Sequence, residues 1–256
     1  MILHRLVETG VIAKTALDGT YRKLETEKKP IDWQSADLSK TLPLVLPFDI
    51  HQVCRIYPKS IIIVAGSKNE GKTSFLLKCV QLNMLKFQLD LYNSETGPEQ
   101  LKERLTPLAI PNPAPFETYE RYDNFADVID PDHLSIIDYL DLNSEVYLVG
   151  TEIDAIFRKL TTGCAIIGLQ KPPPSTTYIK GVKHVIERDL AYGGGFTAKR
   201  AVLYISLSSH RLKLIYVKIP KNPQVNPNNM QWSYEFDEIG YFKNIQRYYG
   251  ETNELF

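Results

Sequence analysis

Ile61-Ile62-Ile63-Val64-Ala65-Gly66-Ser67-Lys68-Asn69-Glu70-Gly71-Lys72-Thr73-Ser74-Phe75-Leu76-Leu77-Lys78-Cys79-Val80 is the stretch that decides the fold. Its first five residues form an apolar, largely β-branched run, the pattern of a strand buried on both faces of a parallel sheet. Thr73 to Val80 reads as the start of a helix. Between them, Gly66 to Thr73 has the spacing Gly-x-x-x-x-Gly-Lys-[Ser/Thr]. Two glycines let the backbone curl so that successive N–H groups face one phosphate chain. Lys72 brings positive charge to the β and γ oxygens, and Thr73 brings a hydroxyl for Mg²⁺. The positive end of the helix dipole adds to the attraction. Gly66, Ser67, Lys68, Asn69, Glu70, Gly71, Lys72, Thr73 and Ser74 are therefore the expected nucleotide-binding set. The alternative is a glycine turn that matches by accident, and a strand before it with a helix after it weighs against that.

Bulk properties set the frame. The chain has 256 residues, is 43% hydrophobic and carries no formal net charge. That suits one large α/β domain with a small appendage and excludes a globally basic wrapper of nucleic acid, though not a local basic groove. No apolar run approaches bilayer length, and Met1 to Glu8 does not read as a signal peptide, so a cytoplasmic protein without a membrane partner is expected. Cys54, Cys79 and Cys164 are scattered, as in a reducing compartment, with Cys79 and Cys164 in apolar surroundings. The five histidines have no metal-ligand spacing, so no structural metal is expected.

Residues 1–45 differ in texture from 46–256. Leu6 to Lys14, then Asp18-Gly19-Thr20-Tyr21-Arg22-Lys23-Leu24, reads as a helix end and a short hairpin turning at Asp18-Gly19. This is either the remnant of a winged helix or a strap. Thr41 to Phe48 is a proline-punctuated lead-in. From residue 60 strands and helices alternate, as a parallel sheet requires. Phe87–Asn93, Leu134–Asp138 and Cys164–Gln170 read as strands, and Gly97–Leu105 and Glu145–Leu160 as helices. Pro107, Pro111, Pro113 and Pro115 mark a surface loop. A long loop follows Gln170. Ala201–Leu207 and Leu212–Lys218 read as an antiparallel hairpin, and the tail with Trp232, Tyr234 and Phe236 as an edge strand and a final helix.

Three strand ends carry chemistry, because a doubly wound sheet presents its ligands there. Glu95 follows the second strand, where a carboxylate can polarise a water that attacks a γ-phosphate or simply favour a helix N-terminus. Asp138 ends an apolar strand, the pattern of a carboxylate that orders the Mg²⁺ shell beside Thr73, or else a turn-initiating Asp. Gln170 ends the fourth strand, where an amide can sense the γ-phosphate or be an ordinary polar strand end.

The order of the phosphate loop, Asn93-Ser94-Glu95 with Glu99-Gln100-Leu101-Lys102-Glu103-Arg104-Leu105, then Ile137-Asp138-Tyr139-Leu140, then Gly168-Leu169-Gln170, resembles the RecA-like P-loop ATPase core. It is most similar to the ATPase domains of DnaB-type replicative helicases and their phage and plasmid relatives, and the lead-in Ile56-Tyr57-Pro58-Lys59-Ser60 resembles that group too. The likeness runs over roughly residues 45 to 220. It implies an α/β fold with a central, mainly parallel, twisted sheet flanked by helices. It also implies ATP and Mg²⁺ as ligands, Lys72, Glu95 and Gln170 as catalytic residues (Glu95 the base, Gln170 the γ-phosphate sensor), and Thr73 with Asp138 at the metal. Such ATPases supply an arginine across a subunit interface from near the last core strands. Here Val217-Lys218-Ile219-Pro220-Lys221-Asn222-Pro223 has none, which leaves Lys218 and Lys221 as the candidate trans fingers, without the bidentate fork of arginine.

The loop from Lys171 to Lys199 lies where RecA-like proteins contact nucleic acid. Lys171, Lys180, Lys183, Arg188, Lys199 and Arg200 are its candidate DNA-binding cations, interleaved with Tyr178, Tyr192 and Phe196, which suit base stacking. A flexible lid without nucleic acid is the alternative. The leading expectation is a Mg²⁺-dependent ATPase acting on single- or double-stranded DNA as a helicase-like or recombinase-like homo-oligomer. A nucleotide-gated DNA-binding or regulatory module with slow or no hydrolysis is the second, and a small-molecule kinase a weaker third.

Overall fold

Residues 2–24, 27–28, 30–138, 148–179 and 182–249 are described by a computed structural model of the chain. They divide into two units, Met1–Ser39 and Lys40–Phe256. In the first, helix α1 (Ile2–Glu8) precedes a hairpin of β1 (Ile12–Lys14) and β2 (Tyr21–Lys23). The turn holds Gly19 at φ 73°, a left-handed conformation that suits glycine, and Asp18 Oδ1 accepts the Gly19 N–H at 3.0 Å.

The second unit is built on alternation. Its strands are β3 (Ser60–Gly66), β4 (Leu89–Asn93), β5 (Glu117–Glu120), β6 (Leu134–Asp138), β7 (Cys164–Gln170), β8 (Ser175–Ile179), β9 (Val182–Ile186), β10 (Ala201–Ser208), β11 (Arg211–Val217), β12 (Gln231–Phe236) and β13 (Phe242–Tyr248). Its helices are α2 (Lys72–Asn83), α3 (Pro98–Leu105), α4 (Val149–Lys159) and α5 (Gly195–Ala198). One nine-stranded sheet runs β13-β12-β11-β10-β3-β7-β6-β4-β5. From β10 to β5 the neighbours are parallel, and β11, β12 and β13 extend the sheet antiparallel. This is an α/β fold with a mainly parallel central sheet flanked by helices.

Successive side chains of a strand point to opposite faces, and β3 uses both. Ile62 and Val64 pack with Phe75, Leu76, Cys79 and Val80 of α2, whereas Ile61, Ile63 and Ala65 pack with Val149, Ile153 and Ile156 of α4. Two apolar layers therefore meet in one strand, which is why it reads as an unbroken apolar run. Cys54, Cys79 and Cys164 are buried free thiols; burial pushes Cys54 up to about 11 and Cys164 up to about 12.

The lead-in is fastened to the core by Asn83, fully buried at the end of α2. Its amide accepts the Val45 N–H at 2.9 Å and donates to the carbonyls of Val45 and Cys79, each at 2.8 Å. Leu44, Leu46 and Phe48 then enter the α2 layer.

Three segments depart from the sequence reading. The tail does not end in a helix among the described residues: Phe242–Tyr248 is a strand paired with β12. Phe242, Ile245 and Tyr248 recur every third residue, a spacing compatible with a helix, but the open edge of β12 offers ladder bonds, and Arg247 stacks on Trp232 at 4.4 Å. The loop after Gln170 holds the antiparallel hairpin β8–β9 and the short α5. Glu117–Glu120, beyond the proline loop, is an exposed edge strand without an apolar signal. Tyr139, Leu140 and residues 145–147 of the expected helix lie outside the described residues. No helix among the described residues is long and apolar enough to cross a membrane.

Replacing Asn83 with Ala strips partners from the Val45 N–H and C=O inside the packed layer. We expect a loss of about 2–3 kcal/mol of unfolding free energy, read as a lower urea midpoint at unchanged m-value.

Candidate active site

Register brings the chemistry to one edge. Gly66 of β3 lies opposite Gln170 of β7, and Asn93 of β4 opposite Asp138 of β6, so the strands' carboxyl ends deliver the phosphate loop, Glu95, Asp138 and Gln170 side by side. The loop leaves β3 through Asn69 (φ 63°) and Gly71 (φ 83°), both left-handed, and enters α2 at Lys72. The Phe75 N–H bonds to the Gly71 carbonyl at 2.8 Å, and helix geometry leaves the N–H groups ahead of it without intrahelical acceptors.

Side chains then converge on the loop. Lys72, 7% exposed, places Nζ 3.5 Å from Gln170 Oε1. Thr73 Oγ1 lies 3.2 Å from Glu95 Oε2 and 3.3 Å from Asp138 Oδ1. Gly168 in β7 makes room for this: a Cβ there would meet Leu76 Cδ1 at 2.8 Å and Lys72 Cδ at 3.4 Å. Asn93 accepts the Glu95 N–H at 3.4 Å and the Thr96 N–H at 3.3 Å, holding the turn that carries Glu95. Asp138 is 3% exposed, and burial lifts its carboxyl to about 6. Lys72 opposes the lift, Glu95 adds to it, and the Thr73 bond and Arg104 oppose it.

A cavity of about 330 Å³ opens over the loop. Part of its wall was not legible as a site from sequence. Arg104 of α3 lines it, as do Phe236, Ile239, Gly240 and Tyr241 from the β12–β13 hairpin. Ser74 Oγ donates to the Gly240 carbonyl at 2.7 Å, and the Tyr241 hydroxyl donates to the Arg104 carbonyl at 2.6 Å. The hairpin residues lie far away in sequence and carry no motif, and only the aromatic alternation of the tail hinted at a strand; Arg104 belongs to the Glu99–Leu105 segment already singled out, without a site role.

Thr73 and Asp138 suit Mg²⁺. Oxygen donors match a hard cation, and this ion is commonly held by one or two carboxylates with waters and substrate phosphates rather than by a full protein cage. No cluster of three or more His, Cys, Asp or Glu residues among the described residues forms a metal cage.

Neither a protein-family model nor a curated protein matches this chain. Among solved structures, the RadB recombinase is similar to it with a TM-score of 0.48 and 11% identity, over 74% of this chain and 92% of that one.

The remaining expected site residues scatter. Lys218 and Lys221 follow β11 at the end of the sheet opposite the loop: the Lys218 N–H bonds to the Val202 carbonyl, and Lys221 Nζ lies 3.3 Å from Gln52 Oε1. Lys171, counted among the DNA-facing cations, is instead 2% exposed and donates to Ser206 and Ser208 hydroxyls at 2.9 and 3.0 Å. Burial holds its ammonium below the usual lysine range. Arg200 is paired with Asp154 and lies over the Phe157 ring. Lys183, Arg188 and Lys199 are exposed, as are Tyr178, Tyr192 and Phe196. Lys180 lies outside the described residues.

Asp138 gives the site a pH signature. In the metal-free protein the folded chain keeps a proton that the unfolded chain has released between roughly pH 4 and 6. The stability from this group is therefore full below about pH 4 and lost as pH rises through about 6. Asp138→Asn should flatten that slope and raise stability at pH 7 by up to about 3 kcal/mol, as read by urea unfolding in EDTA across this range.

Proposed function

We propose that this chain is a RecA-like, Mg²⁺-dependent ATPase that acts on DNA. The observation that supports it best is the pairing, around one phosphate loop, of Lys72 with Gln170 and of Thr73 with both Glu95 and Asp138 within hydrogen-bonding reach. In this reading the loop's N–H groups hold the triphosphate, and Lys72 neutralises charge that grows on the β–γ bridge and γ oxygens. Mg²⁺, when bound, supplies further neutralisation of the phosphate oxygens. The Thr73 hydroxyl has one proton and two lone pairs, so donating to Asp138 leaves a lone pair facing the cavity. Glu95, exposed at the cavity rim, then orients a water for in-line attack on the γ-phosphate. Gln170 meets the γ-phosphate side through Lys72 and begins the segment leading to β8–β9, whose exposed Tyr178 and Lys183, with Arg188 beyond it, suit a nucleic-acid strand. Lys218 and Lys221 stand at the far end of the sheet, so a role for either at a nucleotide belongs to a neighbouring copy in a homo-oligomer.

A second reading has its own support. Arg104 is the sole arginine among the described lining residues, and a lysine finger stabilises the transition state less well. A nucleotide-gated DNA-binding or regulatory module would hold ATP and turn over slowly. Steady-state ATPase assays with and without single-stranded DNA divide the two: severalfold stimulation supports the motor, and tight ATP binding without turnover supports the switch. For the ATPase, Lys72→Ala should abolish hydrolysis and Glu95→Gln should lower kcat by at least about 100-fold while ATP binding persists. Undiminished turnover in Lys72→Ala would remove the site.

A further inference from the structure

The β12–β13 hairpin does more than wall the cavity: it grips the phosphate loop at the peptide between Glu70 and Gly71. The Tyr234 hydroxyl donates to the Glu70 carbonyl at 2.9 Å across 164 positions of sequence. The Glu70 carboxylate is held as well, accepting the His210 N–H at 3.0 Å. Tyr234 is 3% exposed and is not among the cavity-lining residues, so it holds the carbonyl from the protein side. Its ring is locked edge-on against Phe242 at 4.8 Å, Phe236 at 5.4 Å and Phe48 at 5.6 Å. The Tyr234 N–H bonds to the His210 carbonyl at 3.1 Å, which fixes its backbone too.

A trans peptide points the carbonyl of one residue and the N–H of the next in opposite directions within one plane. Pinning the Glu70 carbonyl toward the protein therefore aims the Gly71 N–H at the cavity that Gly71 lines. Such a pin matters at this bond. Glycine crosses conformational space at low cost, so the 70–71 plane is the easiest in the loop to turn over. Turned over, it would present a carbonyl oxygen to a polyanion in place of a donor. Phe236 and Phe242 pack closely on Gly71, and their ring carbons would lie 2.8–2.9 Å from a Cβ at that position.

We propose that Tyr234 is a positioning residue of the nucleotide site, whose hydroxyl sets the 70–71 peptide plane so that the Gly71 N–H faces the phosphate chain of a nucleoside triphosphate. The inference rests on the reading of the loop as a triphosphate site. It couples that site to the C-terminal hairpin, which carries no nucleotide-binding motif. Burial, and then the charge of Glu70, push the Tyr234 phenol far above its ordinary range, so it remains a donor at every working pH.

Tyr234→Phe keeps the ring and deletes only the donor. Calorimetric titration of the full-length chain with ATP, and competition by inorganic tripolyphosphate, read the effect with and without a nucleoside. We expect both ligands to bind on the order of tenfold more weakly to the variant, about 1.4 kcal/mol. Amide hydrogen exchange should rise in residues 67–73 while β3 and β7 stay protected. Unchanged affinity for both ligands overturns the proposal. So does a loss for ATP alone, which would place the effect at the nucleoside, or a loss accompanied by faster exchange across β3 and β7, which would make Tyr234 a general stabilising residue. Failure of the wild-type chain to bind ATP at all is a distinct result, which overturns the triphosphate reading and this inference with it.

Discussion

Under the proposed function, the peptide groups between Gly66 and Thr73 face two demands at once. To hold a polyanion, their N–H groups must turn inward, and every carbonyl turned outward as a result needs a donor in the body of the protein. Four carbonyls of this stretch have such donors. The Gly66 carbonyl accepts the Lys171 N–H, the Ser67 carbonyl accepts the Glu70 N–H, the Glu70 carbonyl accepts the Tyr234 hydroxyl, and the Gly71 carbonyl accepts the Phe75 N–H of α2. Donors for one short loop thus come from the strand-end after β7, the loop itself, the β12–β13 hairpin and α2.

The sheet explains how such distant donors arrive together. Parallel strands all end on one edge, so β3, β4, β6 and β7 deliver their chemistry to the same line although nearly a hundred residues separate Lys72 from Gln170. The antiparallel extension β11–β12–β13 behaves differently. It returns the chain to that edge by hairpins, which is how Tyr234, Phe236 and Tyr241 come to lie beside a loop more than 160 positions earlier.

Burial sets the electrostatics of the site. Asp138 and Lys72 are both almost wholly removed from water, and the Lys72 charge works against the upward shift that burial gives Asp138. Buried, the carboxylate is costly without a cation, and the ammonium is costly without an anion. Lys171 shows the contrasting case: a buried ammonium given to two hydroxyls of β10, beside the site but turned to the sheet.

How legible this was depends on the range of the interactions. The strands at Ile61–Ala65, Leu134–Asp138 and Cys164–Gln170 are readable because two-sided burial demands unbroken apolar runs, and the phosphate loop because local backbone geometry demands glycine at fixed spacing. Glu95, Asp138 and Gln170 could be nominated because a parallel sheet delivers strand ends to one edge. By itself, then, the sequence determined the α/β alternation and the residues that the central strands carry to that edge; these follow from near-neighbour rules of pattern and turn chemistry. Tertiary structure alone decided that the tail is a strand, that Lys171 is buried, that Lys218 and Lys221 sit at the far end, and that Tyr234 reaches Glu70. Those outcomes depend on which edge pairs with which and on what remains to satisfy a loop carbonyl turned outward, and no local pattern encodes either.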